Sequence, residues 1–318
     1  MDSFLSQLLF SASITGPICL MLLLGVILKR FRMIDDSFID GASKLVFQVT
    51  LPALLFLSIV KSDHDFSASA GLITFGIIAN VLFFLFTSYS TKKIFRNPDD
   101  QGVIIQGGFR ANTAIIALAY VANAYGDDGV VQAAIYVAPM TVLYNILAVI
   151  ALTPKGNSKG IEAWTLIIRT ITRNPLVLSI LAGFLFTALS IPVPKMVQDA
   201  GQYFANMTLP LALLCTGGTL NMRSLKDDKK STWFSTGYRL ILAPLFITGA
   251  ALMAGFRGVP LGVIFFMSGA PTAAASYVMA RAMGGNVSLA ANIIALTTIG
   301  SLLSCTVGIF VLTAFTLM

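Results

Sequence analysis

Apolar runs of roughly 17 to 25 residues, separated by short polar gaps, follow one another along the whole chain. Each is long enough to cross a hydrocarbon core of about 30 Å as a helix. They lie near 9–28, 43–60, 70–91, 102–123, 129–152, 174–191, 203–221, 235–255, 259–282 and 288–317, which predicts ten membrane-spanning helices, five in each half. The halves also repeat. Thr50-Leu51-Pro52-Ala53-Leu54-Leu55 recurs as Thr208-Leu209-Pro210-Leu211-Ala212-Leu213, Pro17 maps onto Pro175 and Gly25 onto Gly183 at the same offset, and with one residue of drift Asn112-Thr113 maps onto Pro271-Thr272. The organisation expected is a first five-helix repeat over 1–153, a short linker over 154–173 and a second repeat over 174–318. With an odd number of spans per repeat, the two halves enter the membrane from opposite sides. Inverted repeats of this kind offer two nearly equivalent conformations, the basis of alternating access about a midplane site.

Composition confirms lipid as the solvent for most of the chain: 56% of residues are hydrophobic, 11% are charged, and the mean hydropathy is +0.84. The net charge of +7 changes the picture only through its distribution. Lys29, Arg30, Arg32 and Lys44 flank the first gap, Lys92, Lys93 and Arg96 fill the third, Lys155, Lys159, Arg169 and Arg173 the fifth, and Arg223, Lys226, Lys229 and Lys230 the seventh. The alternate gaps hold only Lys61, Lys195 and Arg257. The positive-inside rule therefore places the odd gaps in the cytoplasm and both termini outside, and it explains the basic charge without a nucleic-acid partner. The first run is preceded by Asp2 and followed by Lys29-Arg30, the reverse of signal-peptide charge order, so it is read as the first span. Cys19, Cys215 and Cys305 sit in separate apolar runs with neither metal spacing nor a paired framework, and nothing in the sequence calls for a cofactor.

In lipid an unpaired backbone group costs several kcal/mol, so helix breaks survive only where protein or a polar cavity satisfies them. The fourth span reads Gly107-Gly108-Phe109-Arg110-Ala111-Asn112-Thr113, and the ninth Ser268-Gly269-Ala270-Pro271-Thr272-Ala273-Ala274-Ala275-Ser276-Tyr277. Both predict discontinuous helices at corresponding places in the two repeats, crossing near the midplane and presenting half-helix N-termini to an anion. An arginine inside a span faces a cavity, a partner or the interface, and Arg110 could hold a substrate carboxylate bidentately, snorkel to the cytoplasmic headgroups or pair with a structural carbonyl. Asn145, with Tyr144 and Pro139, and Asn292, Thr297, Thr298 and Ser301 add polar groups at similar depth, where they reach either a ligand or a neighbouring helix. Pro52 and Pro210 lie inside the second and seventh spans and predict kinks there.

These motifs resemble the auxin efflux carrier family, which includes plant auxin exporters and bacterial permeases for small organic acids. The resemblance rests on Phe109-Arg110-Ala111-Asn112-Thr113 with Ala117-Leu118-Ala119, on Pro139 with Tyr144-Asn145, on Gly269-Ala270-Pro271-Thr272 through Ser276-Tyr277-Val278-Met279-Ala280, on Met283-Gly284-Gly285-Asn286, and on the Leu-Pro steps at 51–52 and 209–210. It implies an all-α membrane protein of ten helices in two inverted five-helix repeats, with discontinuous helices 4 and 9 crossing, the fold shared with bile-acid sodium symporters. It implies a scaffold helix set beside a crossover set, a homodimer, and a substrate site at Asn112 and the Pro271 region, while the short loops and compact length suggest a bacterial inner membrane. Two departures stand out. No proline lies near Asn112, so the break in the fourth span is expected to rely on Gly107, Gly108 and Asn112. Only about twenty residues join the halves, so the long regulatory loop of the plant exporters is absent.

The function expected is a secondary carrier that moves a small carboxylate by elevator-type or rocking alternating access. Its substrate would be held by Arg110, Asn112, Thr113, Asn145, Pro271, Thr272 and Ser276. A channel and a sodium-coupled symporter for another small metabolite are the alternatives. No acidic residue falls deep in a predicted span, so a carboxylate proton relay is not visible. An intramembrane protease fits poorly: Phe266 replaces the first glycine of a Gly-x-Ser-Gly element before Ser268, and Ala124 does so before Gly126-Asp127. His64 lies between Asp63 and Asp65 in an external gap and reads as a solvated loop.

Overall fold

The computed structural model describes residues 2–61, 69–153, 172–220 and 229–318, and among these it is helical without a strand. His64, most of the linker, and the basic residues Lys155, Lys159, Arg169, Arg223 and Lys226 lie outside the described residues. The helices are α1 (Asp2–Arg30), α2 (Asp36–Leu45), α3 (Leu51–Val60), α4 (Ser69–Ile94), α5 (Pro98–Phe109), α6 (Leu118–Leu152), α7 (Pro175–Ala188), α8 (Lys195–Thr219), α9 (Lys229–Gly237), α10 (Ala243–Met253), α11 (Gly258–Gly269), α12 (Ala275–Ala282) and α13 (Val287–Ala314). Among the described residues, six helical runs are long and apolar enough to cross a membrane: Leu9–Arg30, Asp36–Val60, Ala70–Ile94, Thr113–Leu152, Lys230–Met253 and Val287–Ala314. The 40-residue run joins the second half of the predicted segment 102–123 to the whole of 129–152. Gly126 divides it, with φ 60° and ψ −148°, a conformation that glycine alone adopts without strain.

Proline explains two of the three wider π turns among the described residues. Pro52 cannot donate to the carbonyl one turn earlier, and the Leu51 amide before it reaches back five residues to Val46, closing a π turn over Val46–Thr50. Pro244 stands in the same relation to the π turn Tyr238–Leu242, where the Ala243 amide donates to the Tyr238 carbonyl. Pro210 is carried inside α8.

The helices pack as two groups. α1, α2, α3, α7 and α8 contact one another, while α4, α5, α6 and α9 to α13 surround the broken segments; α1, α3 and α7 touch α6, α1 touches α13, and α8 touches the π turn Thr113–Ala117. The first group is held by backbone-to-backbone contact. A Cβ on Gly25 would fall on the Leu214 carbonyl, and one on Gly217 on the Leu22 carbonyl, so only glycine lets α1 and α8 approach this closely. Ile14, Ile18, Leu51, Leu55 and Ile59 fill the adjoining core, and Phe109, Tyr120, Tyr136 and Phe266 fill the core around the broken helices.

Candidate substrate site at the paired helix breaks

α5 starts from Asn97, whose side chain accepts the Asp99 amide at 3.2 Å with Pro98 in the first turn, and it ends when Arg110 turns extended at φ −82° and ψ 100°. Residues 110–112 stay out of the helix, Asn112 at φ −82° and ψ 70°, until the π turn Thr113–Ala117 restarts it. α11 ends in the same way, where Ala270 turns extended at φ −61° and ψ 151° ahead of Pro271. The two extended segments lie antiparallel against each other. The Asn112 amide donates to the Pro271 carbonyl at 2.7 Å and the Ala273 amide to the Arg110 carbonyl at 3.0 Å, a single bridge between Ala111 and Thr272. Each break thus supplies the partners that the other lost on leaving its helix, and Pro271, which has no amide to satisfy, acts only as acceptor.

The break in the first segment does not fall at its glycines. Gly107 and Gly108 are helical, and their role is close packing: a Cβ on Gly107 would meet Ser235 and Ile293, and one on Gly108 would meet Thr87 and Tyr238. The carbonyls left over at the end of α5 find other partners. Thr272 Oγ1 donates to the Gly107 carbonyl at 2.7 Å, replacing the amide that a continued helix would have provided, and the Thr272 amide donates to Thr297 Oγ1 at 3.1 Å.

Arg110 is buried, with 7% of its surface exposed. Its Nη2 donates to Asn145 Oδ1 at 2.8 Å and its Nη1 points at Met279 Sδ. With the Gln106 amide turned so that its oxygen faces Arg110, that oxygen accepts from Nη1 at 3.2 Å while its nitrogen donates to the Ser276 carbonyl at 3.2 Å. Among the described residues the ion pairs are Lys29 with Asp36 and Lys195 with Asp199, so neutral dipoles alone surround the Arg110 charge.

Gln106, Gly107, Thr272 and Ser276 line a narrow cleft whose apolar wall is Val103, Ala290 and Ile293. Ser276, near the start of α12, is 2% exposed and its Oγ has no hydrogen-bond partner among the described residues. Of the residues expected from sequence, Thr272 and Ser276 reach the cleft directly. Arg110 joins it through Gln106, and Asn145 joins through Arg110. Asn112, Thr113 and Pro271 form the crossing itself, and the Asn112 side chain makes no hydrogen bond among the described residues. Gln106 was not anticipated; a buried amide one turn before Arg110 was its available signal. Arg239 stands within or at the edge of the predicted span 235–255, and the sequence pattern assigns it no role.

A family model described as "Membrane transport protein" matches residues 15–309. The chain belongs to this family, that of the auxin efflux carriers. Members of the family are transporters and not enzymes, and the chain is accordingly a multi-pass membrane protein. It is 24% identical over 290 residues to an "Uncharacterized transporter" of Methanothermobacter thermautotrophicus, covering 90% of this chain and 93% of that one. It is 23% identical over 303 residues to a Rhizobium meliloti protein named "Putative malonate transporter", covering 93% and 94%. A shorter match to "Auxin efflux carrier component 6" of Arabidopsis thaliana is 28% identical over 123 residues, 37% of this chain and 22% of that one.

Proposed function

We propose that this auxin efflux carrier family member is a secondary transporter of a small carboxylate, bound at the cleft beside the paired helix breaks. The observation that carries the reading is a buried arginine that, among the described residues, has no acidic partner, next to a cleft whose wall holds the amide of Gln106 and a hydroxyl, Ser276 Oγ, likewise unpartnered among them. A carboxylate entering there would give Arg110 the counter-charge it lacks and give Ser276 an acceptor. The start of α12 at the same place adds the positive end of a helix dipole. The name carried by the Rhizobium meliloti relative points to the same ligand class.

In this reading the ten apolar segments are ten spans in two inverted five-helix repeats, with the odd gaps in the cytoplasm, both termini outside and the inner membrane as location. The packing of α1, α2, α3, α7 and α8 on one another, with α6 and α13 at their edge, suits a scaffold against which a substrate-carrying group moves. The cleft is too narrow for a ligand, which suits a closed state between the two open ones.

The test is flux of a panel of labelled small carboxylates into proteoliposomes, comparing wild type with Arg110→Gln and Asn112→Ala. Saturable flux of at least one acid that falls tenfold or more in Arg110→Gln is expected, about the loss of one charge-assisted hydrogen bond. Flux of an acid that is indifferent to both substitutions would remove the cleft from consideration.

A further inference from the structure

Arg239 has no place in the substrate site, yet it is the largest fully buried side chain among the described residues, at 0% exposure. It projects from the π turn Tyr238–Leu242, which the missing amide of Pro244 creates within the run Lys230–Met253. Its Nη1 donates to the Phe109 carbonyl at 2.6 Å and its Nη2 to the Ser268 carbonyl. Phe109 is the last residue of α5 and Ser268 the last but one of α11. One guanidinium therefore joins the carboxyl-terminal ends of both broken helices.

The electrostatics of that position favour a cation. Each helix C-terminus carries roughly half a negative charge, so two ends converging amount to about one, and a single arginine balances them. In transporters built from discontinuous helices, this is where unwound carbonyls and half-helix C-termini coordinate a coupling sodium ion or proton. Here the neighbouring carbonyl oxygens are also engaged. Gly107 accepts from Thr272 Oγ1 at 2.7 Å, Gln106 from the Arg110 amide at 3.0 Å, Phe266 from the Ala270 amide at 3.0 Å, and Gly269 faces Cys305 Sγ at 3.5 Å. No acidic side chain pairs with Arg239 among the described residues.

We propose that Arg239 is a resident cation of the crossover: it fills the place between the two half-helix C-termini that a transported coupling ion would need, so the carrier works without sodium or potassium bound there. The inference rests on the reading of the paired breaks as the transport centre, but not on the substrate being a carboxylate. Because the guanidinium is tethered to its own helix, it holds the two half-helix ends together through the cycle and is never released. Arg239 acts as a positioning residue, since it touches the half-helices and not the cleft.

Two arms test this. In the first, the thermal unfolding midpoint of purified protein is measured in detergent with sodium, potassium or choline chloride at matched ionic strength, with no substrate. Wild type is expected to unfold at the same temperature in all three, and a saturable stabilisation by sodium or potassium over choline would overturn the proposal. Arg239→Ala is expected to unfold several degrees lower and to regain most of the loss with guanidinium ion at sub-denaturing concentration, while Arg239→Lys falls between. An Arg239→Ala midpoint equal to wild type, or one that guanidinium only lowers, would overturn it too. Should the alanine variant fail to fold, the wild-type salt comparison still decides.

In the second arm, the initial flux of whichever acid the panel identifies is compared in sodium, potassium and choline. Equal rates are expected, and accumulation driven by an inward sodium gradient would refute the proposal. If no acid moves at all, the carboxylate reading fails while the unfolding arm continues to judge Arg239.

Discussion

Replacing Thr272 by valine removes one oxygen at nearly constant volume, and the structure says what that oxygen does. Thr272 is 1% exposed, and its Oγ1 is the donor to the Gly107 carbonyl at 2.7 Å. In an unbroken helix that carbonyl would be paired with the amide four residues on, but residue 111 has already left the helix to pair with the second break. Ser235 and Ile293 pack against Gly107, so water has no easy route to replace the lost donor. The net value of a buried hydrogen bond is about 0.5–1.5 kcal/mol, and stranding the carbonyl raises the loss to about 1–3 kcal/mol. Interhelical bonds measured in membranes fall lower, averaging about 0.6 and reaching about 1.7 kcal/mol. A destabilisation of about 1–2 kcal/mol is therefore expected for Thr272→Val. Thr272→Ser keeps the hydroxyl and gives up one methyl group, at most about 0.8 kcal/mol. Reversible unfolding in mixed micelles, followed by the loss of helical signal, measures both. If Thr272→Val matched wild type within about 0.3 kcal/mol while Thr272→Ser was the weaker protein, methyl packing would be what matters at this position, and pinning of α5 by the threonine hydroxyl would be wrong.

Two other changes separate close packing from binding. Gly217→Ala places a Cβ on the Leu22 carbonyl, forcing α1 and α8 apart, and is expected to cost about 1–3 kcal/mol in the same unfolding assay, whereas Gly16→Ala on α1 meets no atom and should stay within about 0.5 kcal/mol. Ser276→Ala deletes a buried hydroxyl without a partner, so its stability is expected to equal or exceed that of wild type while KM for the transported acid rises several-fold; a loss of about 1 kcal/mol or more would show that the hydroxyl is already bonded inside the protein.

Much of this was legible from local pattern. Apolar runs of membrane length gave helices where they were expected, because burying the backbone in lipid leaves a helix as the way to satisfy it. The second break was readable at Pro271, where a missing amide forbids a continuous ladder, and α11 indeed stops just before it. The first break was readable in kind but misassigned in detail. Gly107 and Gly108 suggest weakness in a helix, yet they remain helical because Ser235, Ile293, Thr87 and Tyr238 need the space a side chain would occupy. The interruption comes at Arg110, whose carbonyl and neighbouring amides pair with a segment from the other half of the chain. No local propensity marks that residue, since its conformation is stabilised by the partner strand.

The same division holds for the charges. That an arginine inside a span must have a partner follows from the cost of burying it, and this singled out Arg110 from the sequence. That Arg239 lies fully buried between two helix ends depends on how far its helix is inserted and which breaks it faces. The sequence alone determined the helical membrane class, the paired breaks and the residue types around them, because run length, a missing amide and the price of a buried charge are local quantities. Tertiary structure decided that the breaks pair with each other, that Thr272 completes Gly107 from 165 residues away, and that Arg239 gathers both helix ends. Those contacts depend on the crossing of segments far apart in the chain, and only the packed helices bring their donors and acceptors within bonding distance.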